Sequence, residues 1–328
     1  MIAIVGGGSW GTALAVHVAR AEGAVRLWAR EPEVADGIRR TRHNPLYLKD
    51  VELPAGIEAT TDLAAAVRGA SLLVMVVPSE FFAATLAGLG PVPAEVPIVS
   101  ATKGFVPARH LRMSEVLLER LPAARVAALS GPTFAREVAR GLPAAAVIAA
   151  PDDVLAGALQ RRLGTREFRL YTNRDVVGVE TGGALKNVMA IATGLADGLG
   201  LGENARAALV TRGLAEMTRL AVALGALPAT LAGLAGLGDL VLTCTGSLSR
   251  NRALGVALAR GQTAREVESE THMIAEGART VGSALVLARR HGVSLPICQE
   301  VGAVLFDGKP PGEALAALLE RPLRREDR

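Results

Sequence analysis

The chain of 328 residues predicts an α/β fold: a mostly parallel sheet first, then an all-helical half. Three observations predict it. Short apolar runs alternate with helical patterns up to about residue 174. Beyond that point the strand-like runs stop. A glycine-rich turn joins the first apolar run to the first helical pattern. Alternating strands and helices argue a parallel sheet covered by helices on both faces.

Taken in order, strands are expected at 2–5, 24–29, 57–59, 72–77, 98–101, 126–129, 145–149 and 168–171. The last two or three extend or cap the sheet. From 175 the apolar spacing turns helical, with helices expected at 175–198, 203–225, 228–244, 250–260, 263–269, 273–291 and 296–307. Gly225, Gly261 and Gly292 stand where helix C-terminal caps belong. The tail RPLRREDR is expected to be a solvated end. The division is therefore 1–174 for the sheet domain and 175–328 for the helical one.

Composition narrows the function. Hydrophobic residues make up 50%, enough for two cores, and only 3% are aromatic, so those cores are aliphatic. Cys244 and Cys298 lack metal or redox spacing, which favours free thiols in a reducing compartment. The start MIAIVGGG has no basic leader pattern. No apolar run reaches about 18 residues, so no membrane span is expected. The expected location is cytoplasmic. The net charge of +4 is scattered, without a basic stripe, which disfavours nucleic acid and suits a small anion. A homodimer is compatible with all of this.

The sharpest local signal is Gly6-x-Gly8-x-x-Gly11, between the first strand and the first helix. The first glycine allows a tight turn, the second lets backbone approach a pyrophosphate, and the third lets helix and strand pack closely. The helix N-terminus then offers free N–H groups to phosphate. This is the dinucleotide-binding signature of a Rossmann-type domain. The second strand ends in Arg30-Glu31. An arginine there accommodates a 2′-phosphate, and an acid binds the ribose hydroxyl. NADPH is favoured, with NAD also open. Pro78-Ser79, Thr102-Lys103-Gly104 and Ser130-Gly131-Pro132-Thr133 follow later strands, so they should converge on the same sheet edge.

A second signal lies in the helical half. Only four of the 36 cations are lysine, and Lys186 is one of them, on an apolar helix beside Gly182 and Gly183. Adjacent glycines inside a helix imply close packing or space for a ligand. Unlike arginine, a buried lysine can lower its pKa and pass a proton. Asp239 follows Gly236 and Gly238 in an apolar stretch, where a carboxylate needs a partner; Lys186 is a natural one. Ser249 fits a helix N-cap, which puts Arg250, Asn251 and Arg252 in the first turn. Cations are disfavoured at that end of a helix, so two arginines imply an anion between them, with phosphate the obvious candidate.

These motifs add up to a resemblance. GGGSWGTALA, SATKGF, SGPTFAREVA, GGALKNVMAIATGLADGLGLGENARAALVTRGLAEM, GLAGLGDLVLTCTGSLSRNR and AEGART closely resemble the bacterial NAD(P)-dependent glycerol-3-phosphate dehydrogenases, from residue 2 to about residue 310. The resemblance implies hydride transfer between NAD(P)H and dihydroxyacetone phosphate, giving sn-glycerol 3-phosphate for glycerophospholipid synthesis. It implies Lys186 as proton donor and acceptor, with Asp239 beside it. Lys103, Gly131, Thr133, Ser249, Arg250 and Asn251 would contact the phosphorylated substrate. Ser9, Trp10, Arg30, Lys103, Ala135, Arg250, Ile274 and Glu276 would line the cofactor site. THMIAEGART departs most from the family pattern. The helical half would be of the 6-phosphogluconate dehydrogenase C-terminal type. Read on residues alone, a hydroxy-acid dehydrogenase and a nucleotide sensor without turnover stay open.

Overall fold

The structure is a computed structural model that describes residues 1–271, 275–322 and 325. Eight strands, β1 (Ile2–Val5), β2 (Val25–Trp28), β3 (Ile57–Thr60), β4 (Leu72–Met75), β5 (Ile98–Ser100), β6 (Val126–Ser130), β7 (Ala144–Ala149) and β8 (Phe168–Asn173), form one sheet. Its order is β3-β2-β1-β4-β5-β6-β7-β8. Every pairing is parallel except β6 with β7. The late strands thus extend the sheet. β1 and β4 are buried at every position, as continuous apolar runs at the centre of a parallel sheet should be.

The chain winds outward from β1 to β3, then crosses back to β4 on the other side of β1. This reversal opens a crevice at the carboxyl ends of β1 and β4, the place where open α/β sheets bind ligands. Helices α1 (Ser9–Glu22), α2 (Pro32–Thr41), α3 (Leu63–Val67), α4 (Ser79–Ala87), α5 (Met113–Arg120), α6 (Ala135–Ala139) and α7 (Asp153–Leu163) cover the two faces. Each face carries its own aliphatic core.

The helical half comprises α8 (Val176–Gly198), α9 (Gly202–Ala223), α10 (Pro228–Ala232), α11 (Asp239–Thr245), α12 (Arg250–Ala259), α13 (Ala264–Thr271), α14 (Glu276–Arg290), α15 (Pro296–Phe306) and α16 (Pro311–Leu319). α8 is its axis: every residue from Gly178 to Ala196 is buried, because the other helices wrap it and the ends of β6 and β7 close the remaining side. Asp175 caps α8 by accepting from the Gly178 N–H at 2.7 Å. The same carboxylate accepts from the Leu227 N–H at 2.8 Å, which anchors the approach to α10. Glu180, one turn into α8, accepts from the Ser114 N–H at 2.9 Å, so a carboxylate of the helical half caps α5 of the sheet half. Gly225, Gly261 and Gly292 take φ of 97°, 90° and 65°, as the expected caps require.

Two expectations change. The helix expected over 228–244 is interrupted: α10 stops at Ala232, a π-helical turn spans Leu234–Gly238, and α11 starts at Asp239. Gly233, Gly236 and Gly238 weaken the α-helical hydrogen-bond pattern there, and the Gly238 N–H bonds the Gly233 carbonyl five residues back, at 3.1 Å. A helix was also not expected at Pro311–Leu319, where Pro at its start pre-sets the first turn.

Candidate active site

The glycine turn behaves as its spacing demands. Gly6 has φ of 131°, and a Cβ there would stand 2.6 Å from the Val76 carbonyl oxygen. A Cβ on Gly11 would stand 1.8 Å from the Gly6 oxygen. A Cβ on Gly8 would meet nothing within 4 Å, so this side of the turn faces open space. Gly8 is the N-cap of α1 and supplies no capping side chain, so the first N–H groups of a 14-residue helix point into that space. The residues therefore fit a dinucleotide pyrophosphate.

Ser9 donates its hydroxyl to the Tyr47 carbonyl at 2.9 Å. Trp10 packs its ring edge-on toward Phe168, with centroids 6.3 Å apart, so its indole faces the core. At the end of β2, Arg30 pairs with Glu31 at 2.8 Å and lies 4.8 Å over the Phe81 ring. Sequence reasoning set these two residues as rival cofactor selectors; the structure makes them one unit, with Arg30 the more exposed. Ala135 opens α6 and, like Trp10, packs against the cluster of Ala13, Leu48, Val51 and Ala139.

Glu276 opens α14. Its carboxylate accepts from the Ser79 N–H at 3.2 Å and from the Ser79 hydroxyl at 2.8 Å. It therefore reaches across from the helical half to the N-terminus of α4. Ile274, expected beside it, lies outside the described residues.

Farther along the same carboxyl edge, past β5 and β6, lies a carboxylate between two ammonium groups. The Asp239 side chain is 1% exposed. Its Oδ1 accepts from Lys186 Nζ at 2.8 Å and its Oδ2 from Lys103 Nζ at 2.6 Å. Lys103 also donates to the Gly131 carbonyl at 2.9 Å, and Lys186 to the Thr243 hydroxyl at 2.8 Å. Burial pulls the Lys186 ammonium down to about 8; the Asp239 charge opposes that shift and the Lys103 charge adds to it. Burial pushes the Asp239 carboxyl up, but Lys103 and Lys186 outweigh it and hold the group below its ordinary value. Lys186 thus titrates near neutrality beside a carboxylate that stays ionised.

Gly131 has φ of 150°, and a Cβ there would meet Ala146 Cα at 2.8 Å. Thr133 returns its hydroxyl to the Gly131 carbonyl at 3.1 Å. Ser249 caps α12, accepting from the Arg252 N–H at 3.2 Å. Arg250 is exposed, yet its charge is partly desolvated, as on the wall of a cleft. Among the described residues it makes no ion pair or hydrogen bond.

Arg252 corrects an expectation. Its Nε pairs with Asp197 at 2.6 Å, so only Arg250 of the two arginines remains available to an anion. Asn251 is buried and spends both ends of its amide internally, donating to Asn187 at 2.9 Å and accepting from the Gly277 N–H at 2.9 Å.

Sequence reasoning paired Lys186 with Asp239 and placed Lys103 at the same edge. It missed that Lys103 shares the carboxylate, since the two are 136 residues apart. It also missed Thr243, although a residue four after Asp239 on a helix is its neighbour. Ser79 and Phe81 carried no signal beyond their nearness to a strand end. Among the described residues no cluster of acids, histidines and cysteines could hold a metal ion.

Comparison with known proteins agrees with this geometry. Residues 1–156 match the domain described as NAD-dependent glycerol-3-phosphate dehydrogenase N-terminus, and residues 175–316 the corresponding C-terminus. The chain is 50% identical over 329 residues to a glycerol-3-phosphate dehydrogenase [NAD(P)+] of Geobacter sp. strain M21, covering 99% of this chain and 98% of the other. It is 51% identical over 326 residues to the protein of that name from Rhodospirillum rubrum, covering 99% and 93%. A crystal structure of glycerol-3-phosphate dehydrogenase from Coxiella burnetii superposes with a TM-score of 0.94 at 41% identity, covering 98% of each chain. With both halves matched in order, the chain belongs to the NAD-dependent glycerol-3-phosphate dehydrogenase family.

Proposed function

We infer that this protein catalyses reversible hydride transfer between NAD(P)H and dihydroxyacetone phosphate, giving sn-glycerol 3-phosphate, a precursor of glycerophospholipids. The observation that carries the mechanism is the buried Lys186–Asp239–Lys103 cluster, on the same carboxyl edge of the sheet as the glycine turn. A bound nicotinamide supplies the hydride. The protein's part is to bind, orient and move one proton. Lys186, protonated at neutral pH and titrating at about 8, gives its proton to the alkoxide forming at the substrate carbonyl oxygen and takes it back in the reverse direction. Asp239 holds the lysine in place and balances its charge; Lys103 holds the other carboxylate oxygen and adds positive charge near the reacting oxygen.

The substrate phosphate is assigned to Arg250 and the N-terminus of α12, where Ser249 keeps a hydroxyl proton to donate. Asn251, with its amide engaged, contributes its backbone N–H. Gly131 and Thr133 form the opposite wall. We divide the chain at 174/175, between the end of β8 and the start of α8. Arg30, paired with Glu31 and laid over Phe81, favours NADPH, because its side chain stays 61% exposed where a 2′-phosphate would come. The two buried, unpaired cysteines support a cytoplasmic enzyme. The homodimer reading is checked by sedimentation equilibrium, and a monomer mass refutes it.

The test is turnover of dihydroxyacetone phosphate with NADPH and with NADH, for wild type and Lys186→Arg. Fast wild-type turnover and a loss of at least about a hundredfold in the arginine variant are expected, since arginine keeps the charge but cannot release the proton. An active arginine variant refutes the proton-transfer role.

A further inference from the structure

Why two adjacent glycines sit on α8 next to Lys186 is answered on two sides of the helix. A Cβ on Gly183 would stand 2.5 Å from the Ser130 hydroxyl, at the end of β6. A Cβ on Gly182 would stand 2.7 Å from the Ala235 carbonyl oxygen and 3.3 Å from Leu231 Cδ1. Ala235 belongs to the π-turn that leads directly into Asp239. That turn cannot retreat toward α10, because a Cβ on Gly236 would already stand 2.0 Å from the Leu231 oxygen. α8 is therefore wedged between the π-turn on one side and the strand end whose next residue, Gly131, holds Lys103 on the other.

The π-turn matters because it sets direction. Each residue of an α-helix turns the chain by about 100°. A π-turn takes in one residue more than an α-turn, so Asp239 leaves it rotated from where an unbroken helix over 228–244 would put it. In the observed register the carboxylate spans the two ammonium groups, at 2.8 Å and 2.6 Å.

We propose that the π-turn Leu234–Gly238, seated on Gly182, sets the position of Asp239 between Lys186 and Lys103, and that Gly182 is a positioning residue of this site. The proposal rests on the proton-transfer reading above for its catalytic consequence, but its structural core can be tested without substrate. The groups whose charge Lys186 feels are Asp239 and Cys244 on α11 and Lys103 after β5. Of these, Asp239 most strongly favours the ammonium. A chain in which Asp239 is pushed aside must titrate Lys186 at lower pH.

The experiment is pulse labelling of the full chain with acetic anhydride across a pH series. Mass spectrometry reads the extent at Lys186 and hence its titration midpoint. Gly182→Ala is expected to lower the midpoint by at least about one unit. It should also reduce turnover at neutral pH by about a hundredfold, with NADPH affinity unchanged. Leu234→Ala trims a partly buried side chain that seats the same turn, folds more readily, and should shift the midpoint the same way. Gly198→Ala is the control: its Cβ would meet Ala259 Cβ at 2.5 Å at the far end of α8, which disturbs helix packing away from Asp239. It should lower the melting temperature and leave the Lys186 midpoint in place. A folded Gly182→Ala or Leu234→Ala protein with the wild-type midpoint overturns the proposal, as does an equal shift in Gly198→Ala. Wild type that titrates normally yet fails to reduce dihydroxyacetone phosphate defeats the proposed function instead, and the midpoints still decide this one.

Discussion

Asp239→Asn removes one charge from between two and keeps the shape. In wild type the carboxylate lies within 2.8 Å of both ammonium nitrogens. At 4 Å and an effective dielectric of about 20, one such attraction is worth about 4 kcal/mol. Breaking a buried pair by removing one partner costs about 3–5 kcal/mol, because the other charge is left behind. Here the site has an escape: Lys186 can lose its proton. Without the carboxylate its midpoint should fall from about 8 by about two units, which leaves about one molecule in ten protonated at neutral pH. Reduction of dihydroxyacetone phosphate at neutral pH should then drop at least tenfold on the order of magnitude. Part of that loss should return as the pH is lowered. The assay is nicotinamide absorbance over a pH series, with thermal unfolding in parallel. A variant whose rate–pH curve keeps the wild-type midpoint refutes the claim that Asp239 sets the charge of Lys186.

Three further outcomes follow from the same structure. In wild type, kcat/KM for ketone reduction should fall as pH rises through about 8, because the proton donor is lost, and the reverse oxidation should rise through the same value; parallel limbs in the two directions would exclude Lys186 as the titrating group. Arg30→Ala should weaken NADPH binding by about tenfold or more and NADH binding little, measured by fluorescence titration; equal losses would remove Arg30 from the 2′-phosphate. Glu216, whose carboxylate caps α15 by accepting from the Ile297 N–H at 2.7 Å, is pushed up to about 7 by burial. A carboxyl whose folded value lies above its unfolded one costs nothing below the unfolded value of about 4.5. The cost grows as pH rises and is complete above about 7, reaching about 3 kcal/mol. Glu216→Gln cannot titrate, so denaturant unfolding should show its stability losing that decline, and an unchanged decline would assign it to another group.

The fold was legible in the sequence because its signals are local. Strand–helix alternation, the Gly6-Gly8-Gly11 spacing and the capping positions of Gly225, Gly261 and Gly292 all act within a few residues of themselves. The π-turn was not legible. Three glycines among leucines and alanines are compatible with a strained helix, and what settles the matter is the pressure of α8 at Gly182 and of Leu231 at Gly236. Residue type also spoke plainly: a lysine in a chain with only four of them among 36 cations, an aspartate in an apolar run, and cations at a helix start each pointed to chemistry. What they pair with lay beyond reach. Lys103 follows β5 and Lys186 lies within α8, and only the sheet order and the packing of α8 across its edge bring both to one carboxylate. Arg252 looked like the equal of Arg250, yet Asp197 on a neighbouring helix takes it. The sequence by itself determined which groups could hold a phosphate or pass a proton, because that is a property of each side chain. Only the tertiary structure decided which of them share a charge, because electrostatic attraction and desolvation depend on distance and burial, and both arise from contacts between residues far apart in the chain.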